Sequence, residues 1–390
     1  MKTQHLLLGA AISTFCAGQT AYADAFTEAL TGGKASGDIR IRYESVDLDS
    51  TDSDGLTIRT RLGYKTGDIG GFSAFVEFED VTDMFGIDDE NGLIPDPEVT
   101  EVDQGFVQYK SDVLTSKFGR QVITLDGHRH IGHVGWRQDR QTFDAFRAMI
   151  TPSKDLSIDL THIYQRNRIF GETLDAKSND YLINVGYNSP VGKLVGYGYL
   201  LDDEARDEQS DTFGLSFSGK ASVSDSVSFL YALEFATQDI TDSGTDYETD
   251  YSLIEGGVSV SGFTFKAGYE TLGSDNGNAS FTTPLATLHK FNGWADVFLG
   301  GTFNPSAMPN GLEDLYLSAG TTLAGFSLLA VYHDYSANEG SADYGSELDL
   351  QVVKKFGKSY STGLKYAAYS DDGFTGTDID KLWVWVGTSF

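Results

Sequence analysis

Segments in which apolar side chains occupy every second position recur along most of this 390-residue chain. Leu56–Leu62, Val227–Phe235 and Leu348–Val352 are clear examples. Because successive side chains of a β-strand point to opposite faces, a period of two gives each strand one apolar and one polar face. The chain therefore folds as β-sheet, and its apolar faces cover either the core of a sandwich or the lipid-facing wall of a barrel.

Strand and loop lengths distinguish these two folds. A tilted strand needs ~9–11 residues to cross a bilayer, whereas strands of globular proteins centre near 5–6. The segments here are about 9–12 residues long, and the connections between them alternate between short turns and mostly longer loops. We predict strands at 37–47, 55–65, 71–82, 100–110, 113–122, 142–151, 155–166, 179–188, 192–201, 210–218, 225–237, 250–260, 263–272, 312–321, 326–336, 346–356, 360–369 and 380–390.

The alternation of short and long connections predicts an all-β, closed, antiparallel transmembrane barrel of about 18 strands, with 16 as the alternative count. Short turns face the periplasm in such barrels and long loops face the outside, so both chain ends are expected in the periplasm. A β-sandwich would not require short and long connections to alternate in this way. The predicted location is the outer membrane, in contact with its lipid and lipopolysaccharide.

The N-terminus has the features of an export signal. Lys2 is followed by the apolar run Leu6–Ile12 and by a small-x-small cleavage site at Ala21–Ala23. We predict a signal peptide at residues 1–23, a periplasmic segment at 24–36 and the barrel at 37–390. Cys16 is the one cysteine of the chain, so the barrel left after cleavage contains no disulfide.

The C-terminus carries a second export feature. Leu382, Val384, Val386, Thr388 and Phe390 share one face of the last strand, and the chain stops on Phe390. This resembles the final strand of bacterial outer-membrane proteins. The resemblance implies that Phe390 is an assembly signal read by the barrel assembly machinery.

The formal net charge is −29, with 57 acidic against 28 basic residues. Most of the excess lies in predicted loops, where solvation explains it, and divalent cations shared with surface glycolipid are a further possibility. We expect no nucleic-acid partner.

The arginines follow a different pattern, since all twelve lie at or before residue 206. Arg40, Arg42, Arg59 and Arg61 alternate with apolar residues, so they face the lumen, because arginine on the lipid face costs ~2–4 kcal/mol at the midplane. Two interpretations stay open. The arginines form a salt-bridge ladder that rigidifies the wall, or they form a guanidinium track that binds carboxylates of a passing anion.

Residues 119–147 and 281–298 carry a family resemblance. The first stretch has a Gly-Arg-Gln strand end, a loop with Trp136-Arg137 and a Thr-Phe-Asp entry to the next strand; Gly311–Tyr316 follows the second. The chain resembles the alginate-export porins. This resemblance implies an arginine-rich constriction that conducts an anionic polysaccharide or its oligosaccharides. The residues that would carry over as constriction or loop-anchoring groups are Arg120, Arg129, Arg137, Arg140, Asp144 and Arg147.

The solute stays open at this point. A neutral oligosaccharide or general small solutes are alternatives to an alginate-like anion, because the acidic loops repel anions. The loop between Arg120 and Arg140 is the one we expect to fold into the pore.

Catalytic and metal sites are not expected. His128, His130 and His133 lack the helical spacing of a hydrolytic zinc site, and thiols are absent from the mature chain. No nucleophile-elbow motif is present. We expect a channel without cofactor or metal, and an outer-membrane barrel hydrolase is the alternative class. Conductance in planar bilayers distinguishes the two.

Overall fold

A closed 18-stranded antiparallel barrel forms the molecule in the computed structural model, which describes residues 21–49 and 51–390. Every strand pairs with its neighbours in the sequence, and the last strand pairs with the first, Ile39 opposite Thr388. Phe390 completes the closure, because its backbone N–H and C=O both bond Gly37 at 3.0 Å. A Cβ at Gly37 would lie 2.3 Å from the Phe390 ring, so a larger residue there would displace this ring.

The strands, numbered in chain order, are β1 Lys34–Leu48, β2 Thr51–Lys65, β3 Phe72–Asp83, β4 Val99–Lys110, β5 Leu114–Gln121, β6 Thr142–Ile150, β7 Leu156–Asn167, β8 Ala176–Ser189, β9 Gly192–Asp203, β10 Glu208–Ser224, β11 Val227–Asp242, β12 Thr245–Val260, β13 Phe263–Leu272, β14 Leu312–Leu323, β15 Phe326–Ser336, β16 Asp343–Phe356, β17 Tyr360–Ser370 and β18 Ile379–Ser389. A short strand, Ile169–Glu172, lies outside the barrel sheet.

The predicted fold class is confirmed, and the main differences concern strand ends. The acidic segments 202–209 and 238–249 were expected to be loops, yet β11 and β12, each 16 residues long, run through most of the second, and β9 and β10 extend into both ends of the first. The hairpin of β11 and β12 turns at Ser243 and Gly244, both with positive φ. Such a two-residue turn lets the ladder continue past the ~11 residues that span a bilayer, so the acidic residues sit in strands beyond the membrane.

The outer wall is apolar, as the alternation requires. Leu62, Phe78, Leu215, Ile254 and Leu317 are all more than half exposed in the isolated chain. This surface is the lipid-facing band of the barrel. Among the described residues, no helix has the length and apolar character needed to cross a membrane.

A helix closes part of the short-turn rim. Helix α1, Ala21–Thr31, is held there because Gly67 N–H donates to the Ala29 carbonyl at 2.9 Å and the Tyr64 hydroxyl donates to the Leu30 carbonyl. The predicted periplasmic segment 24–36 is thus mainly helix, and β1 begins at Lys34 because Lys34 still pairs with Lys65. Most of the predicted signal peptide lies outside the described residues.

Two long loops fold into the barrel, namely residues 122–141 and 273–311. They meet through a parallel bridge between Ile131 and Leu285, and Gly132 N–H donates to the Leu285 carbonyl at 2.6 Å. Ile131 and Leu285 are almost fully buried, together with Phe281. The second loop contains helix α2, Leu299–Phe303, and 3₁₀ turns at Leu288–Lys290 and Pro305–Ala307. The lumen is therefore divided by a packed plug, which we call the loop plug (residues 122–141 and 273–311).

Candidate functional site

The arginines of β1 and β2 bind the backbone of the loop plug. Arg40 donates to the carbonyls of Trp136 and Arg137 at 2.7 and 2.8 Å. Arg42 also donates to the Trp136 carbonyl, and Arg61 donates to the Gln138 carbonyl at 3.0 Å. In this irregular segment these carbonyls have no backbone N–H donor from a helix or a strand. The guanidinium groups supply the hydrogen bonds that these buried carbonyls need.

Arginines of the loop 122–141 bind carboxylates of the barrel in return. Arg137 donates to both carboxylate oxygens of the wall residue Glu44 at 2.9 and 3.0 Å, and it links the two loops by donating to Asp296 of the loop 273–311 at 3.0 Å. Arg137 is 3% exposed; burial lowers its pKa, but Glu44 and Asp296 outweigh burial and raise it. Arg129 binds Glu270 at 2.7 Å. These bidentate and charge-assisted bonds fix the loop against two sides of the wall.

Arg140 anchors the same loop a third time, through Asp103 at 2.5 Å and through Glu77. Burial lowers the pKa of Arg140, and Asp103 outweighs this and raises it. Arg59 binds Asp38 and Arg147 binds Asp159 at 2.7 Å, both along the inner wall.

Arg120 and Asp144 pair with each other across β5 and β6, and among the described contacts neither side chain bonds the loop plug. Arg120 opposes Asp144 in the register, and both lie on the face that carries Phe118 and Phe146, which are 60% and 49% exposed. The two side chains form an ion pair at 2.9 Å. The family resemblance pointed to this pair, whereas the alternation through Phe118 indicates which face of the strand carries Arg120.

Aromatic rings pack where the two loops meet the wall. The Trp136 ring stacks on His289 with centroids 4.9 Å apart, and Lys365 lies 4.3 Å from the centre of the Trp136 ring. His289 bonds Asp296 through Nδ1 at 3.0 Å and lies 2.7 Å from Lys365 through Nε2. Burial lowers the pKa of His289 to about 3 against the pull of Asp296, so the ring is neutral and accepts a hydrogen bond from Lys365.

Two cavities remain on either side of the loop plug. The larger one, about 760 Å³, lies towards the short-turn rim. Four cationic side chains line it, together with five carboxylates and several rings. The cations are Arg129, Lys193, Lys266 and Lys290; the carboxylates are Asp126, Glu234, Glu255, Glu270 and Asp314; the rings include Tyr197, Tyr199, Tyr251, Phe291, Trp294 and Tyr316.

The second cavity, about 400 Å³, lies among the long loops and is lined by Arg137, Arg168, Arg206 and Phe303. The guanidinium groups of Arg168 and Arg206 lie 5.6 and 5.4 Å from the centre of the Phe303 ring. Burial, followed by the neighbouring Arg166, lowers the pKa of Arg168 to about 9. Neither Arg168 nor Arg206 was predicted as a site residue from the sequence, although Arg168 lies two residues after the predicted strand 155–166.

Two cations of these cavities have no acidic partner. In the part of the chain that the structure describes, neither Arg206 nor Lys290 has a carboxylate oxygen within 4.0 Å. Arg206 donates to the Phe303 carbonyl at 2.8 Å, and Lys290 donates to the Gly127 carbonyl at 2.7 Å. The Lys290 ammonium lies 5.2 Å from the centre of the Phe291 ring. Each cavity thus offers one cation that forms no ion pair among the described residues and lies beside an aromatic face.

The three clustered histidines have separate environments. His130 bonds Glu234 at 3.0 Å and the Tyr197 hydroxyl, whereas His128 and His133 meet edge to face with centroids 5.6 Å apart. Burial, with Arg140 nearby, lowers the pKa of His133 to about 4. In the described residues these rings do not form a group with the spacing of metal ligands.

A closed 18-stranded barrel with an apolar outer band and a loop plug in its lumen defines an outer-membrane channel. The family model described as alginate export matches residues 34–270, and the chain belongs to this family. The fold and the family point to a channel and not to an enzyme.

Solved structures of porins share this fold at low sequence identity. OpdK of Pseudomonas aeruginosa, solved with vanillate, is 14% identical with a TM-score of 0.71, and the match covers 93% of this chain and 99% of OpdK. OccAB3 of Acinetobacter baumannii is 15% identical with a TM-score of 0.71, covering 93% of this chain and 100% of OccAB3. OpdQ of P. aeruginosa is 14% identical with a TM-score of 0.70, covering 93% and 99%. A search among curated proteins finds no match.

Proposed function

We propose that this channel conducts small carboxylate-bearing solutes, in particular short uronate oligosaccharides of the alginate type. The observation that carries the proposal is the cation without an ion pair beside an aromatic face in each cavity of the described structure, Arg206 with Phe303 and Lys290 with Phe291. A sugar acid presents a carboxylate and an apolar ring face, and this pair of groups is complementary to both.

The solute path in this proposal avoids the arginines of β1 and β2. Arg40, Arg42 and Arg61 already bond the loop 122–141, and Arg42 and Arg61 are 1% and 6% exposed. Of the two interpretations of the arginines, the structural ladder therefore has the better support at this wall. The open space lies against β9–β15 instead, where Lys193 and Lys266 reach the larger cavity.

The size of the cavities supports an oligomer and not a polymer. Small-molecule sites typically enclose ~300–1,000 Å³, and the two cavities of about 760 and 400 Å³ fall in this range. The loop plug separates them, so a long polysaccharide passes only if the loops 122–141 and 273–311 leave the lumen. Short oligosaccharides need a smaller opening.

Aromatic carboxylates are a second candidate class. The larger cavity is lined by the rings of Tyr197, Tyr199, Tyr251 and Tyr316, and OpdK, which shares the fold, was solved with vanillate. Vanillate also combines a carboxylate with a ring. Competition between a uronate trisaccharide and vanillate for block of the current distinguishes the two classes.

Removal of the two unpaired cations tests the proposal. We expect Arg206→Gln combined with Lys290→Gln to lower the anion preference in reversal-potential measurements at 10 mM salt and to weaken block by a uronate trisaccharide. Each lost attraction of about 1 kcal/mol, the value for unit charges ~4 Å apart in water, lowers occupancy about fivefold. The effect should fade at 1 M salt, where the Debye length is ~3 Å.

A matched control removes two cations that line neither cavity. Lys177 and Lys358 are exposed, the first at the long-loop end of β8 and the second in a short turn. Lys177→Gln with Lys358→Gln changes the net charge equally but should leave selectivity and block unchanged. Equal effects of both double variants would show that the overall charge, and not the cavity cations, sets the selectivity.

A further inference from the structure

Three carboxylates converge inside the barrel at a place that the solute path does not use. Glu79 of β3 stands directly opposite Glu101 of β4, and Asp139 of the loop 122–141 approaches both. One carboxylate oxygen from each residue lies within 4.8 Å of the other two. Like charges placed directly opposite on neighbouring strands are destabilising unless something neutralises them.

Two of these side chains have a free oxygen in the protein interior. Glu79 is 1% exposed and Asp139 is fully buried. One oxygen of Glu79 accepts from Arg61 and one oxygen of Asp139 accepts from Gly171 N–H at 2.9 Å. Glu79 Oε1 and Asp139 Oδ1 have no hydrogen-bond partner. A buried carboxylate oxygen without a partner is costly, so these two oxygens indicate a missing ligand.

The surrounding charges do not balance. Glu77 and Asp103 lie beside the three carboxylates, and the guanidinium groups bonded to this group of five are those of Arg61 and Arg140. When all five carboxylates are ionised, the two guanidinium groups leave three negative charges in this largely buried space. Arg59 and Arg120 lie close enough to act on Glu79 and Glu101 electrostatically, but their own ion pairs are with Asp38 and Asp144.

We propose that Glu79, Glu101 and Asp139 bind a divalent cation, most suitably Ca²⁺. All three donors are hard oxygen atoms, the type that Ca²⁺ and Mg²⁺ prefer. Ca²⁺ suits the site better, because it accepts irregular geometry with ligands at ~2.3–2.6 Å, whereas Mg²⁺ requires near-ideal octahedral geometry. Glu101 is half-buried, which leaves an approach for the ion and for water molecules that complete its coordination.

The ion would fasten the loop plug to the wall. Asp139 belongs to the loop 122–141, while Glu79 and Glu101 belong to strands, so one cation links a movable segment to the rigid barrel. The Asp139–Gly171 bond extends the link to the short strand Ile169–Glu172. This inference does not depend on which solute the channel conducts.

Calcium titration of the purified full chain in detergent tests the site. By calorimetry at pH 7.5, after chelator treatment, we expect one tight site above a weak background from the outer acidic loops. Asp139→Asn and Glu101→Gln should each weaken the tight site at least tenfold. Asp372→Asn, which changes an exposed loop carboxylate, is the matched control and should leave it intact.

Thermal unfolding adds a signature that is independent of calorimetry. Without Ca²⁺, Asp139→Asn should melt at a higher temperature than the wild type, because it removes repulsion from Glu79 and Glu101; with Ca²⁺ the order should reverse. Heat-modifiable gel mobility verifies that each variant forms a barrel. Absence of a tight site in the wild type, or equal binding by all variants, overturns the proposal, and the carboxylates are then neutralised by protonation.

Discussion

Arg137 attaches the loop plug to the wall through Glu44, and its removal should open the channel. Its guanidinium bonds both Glu44 and Asp296 and is 3% exposed. Loss of one member of a buried ion pair costs ~3–5 kcal/mol. We use the lower end, because Glu44 keeps Arg42 at 3.3 Å and Asp296 keeps His289 at 3.0 Å.

A loss of ~3 kcal/mol from docking of the loop shifts its equilibrium towards the undocked state by about two orders of magnitude. We therefore expect Arg137→Met to show larger single-channel conductance and frequent fluctuations between levels in planar bilayers. The barrel itself should persist, since the strand pairing does not involve this residue.

Arg147→Met is the control for this experiment. Arg147 also forms a buried ion pair, with Asp159, but it lies on β6 and has no bond to the loop plug among the described contacts. Its removal should leave the conductance steady. If both variants show the same current and the same noise, Arg137 does not hold the loop and the assignment of the arginine network as an anchor is refuted.

Two further perturbations act on the same plug. Acidification should loosen it: His289 and His133 have pKa values lowered to about 3 and about 4, chiefly by burial. The two neutral histidines contribute fully to docking of the loops above their ordinary pKa of ~6.5, and this contribution is lost as the pH falls towards the lowered pKa values. Channel noise should therefore rise between pH 6.5 and 4, and it should rise less in His289→Gln. Gly132→Ala should also undock the loops, because its Cβ would lie 2.1 Å from Thr287 Oγ1 and 2.7 Å from the Thr287 backbone nitrogen. Gly127→Ala is the control, because its Cβ would meet nothing within 4 Å. Equal conductance of the two variants would contradict the tight contact at Gly132.

The alternation of apolar and polar residues was sufficient to predict the fold, because it assigns each residue of a strand to one of the two faces of the sheet. Each strand needs one face for lipid and one for the lumen, so Leu62 and Arg61 are assigned opposite sides from the sequence alone. The structure has Leu62 53% exposed and Arg61 buried. The same rule failed to locate the ends of β10–β12, because strands that leave the membrane no longer need apolar residues.

The site was less predictable because it depends on what fills the lumen. Parity gives the direction of Arg40 and Arg42 but not their partners, and these are carbonyls of a loop about 95 residues away in the sequence. Arg206 was missed because an arginine in an acidic loop resembles a solvated charge, and only the fold brings it beside Phe303. Long-range loop contacts of this kind leave no periodic signal.

Solute flux into proteoliposomes tests the central claim most directly. Vesicles containing the wild-type channel are exposed, at 10 mM salt, to a uronate disaccharide and to a neutral disaccharide of the same size, and the initial rates are compared. We expect faster entry of the uronate, an advantage that disappears at 1 M salt and in the Arg206→Gln, Lys290→Gln double variant. Equal rates at low salt, or faster entry of the neutral sugar, would contradict it.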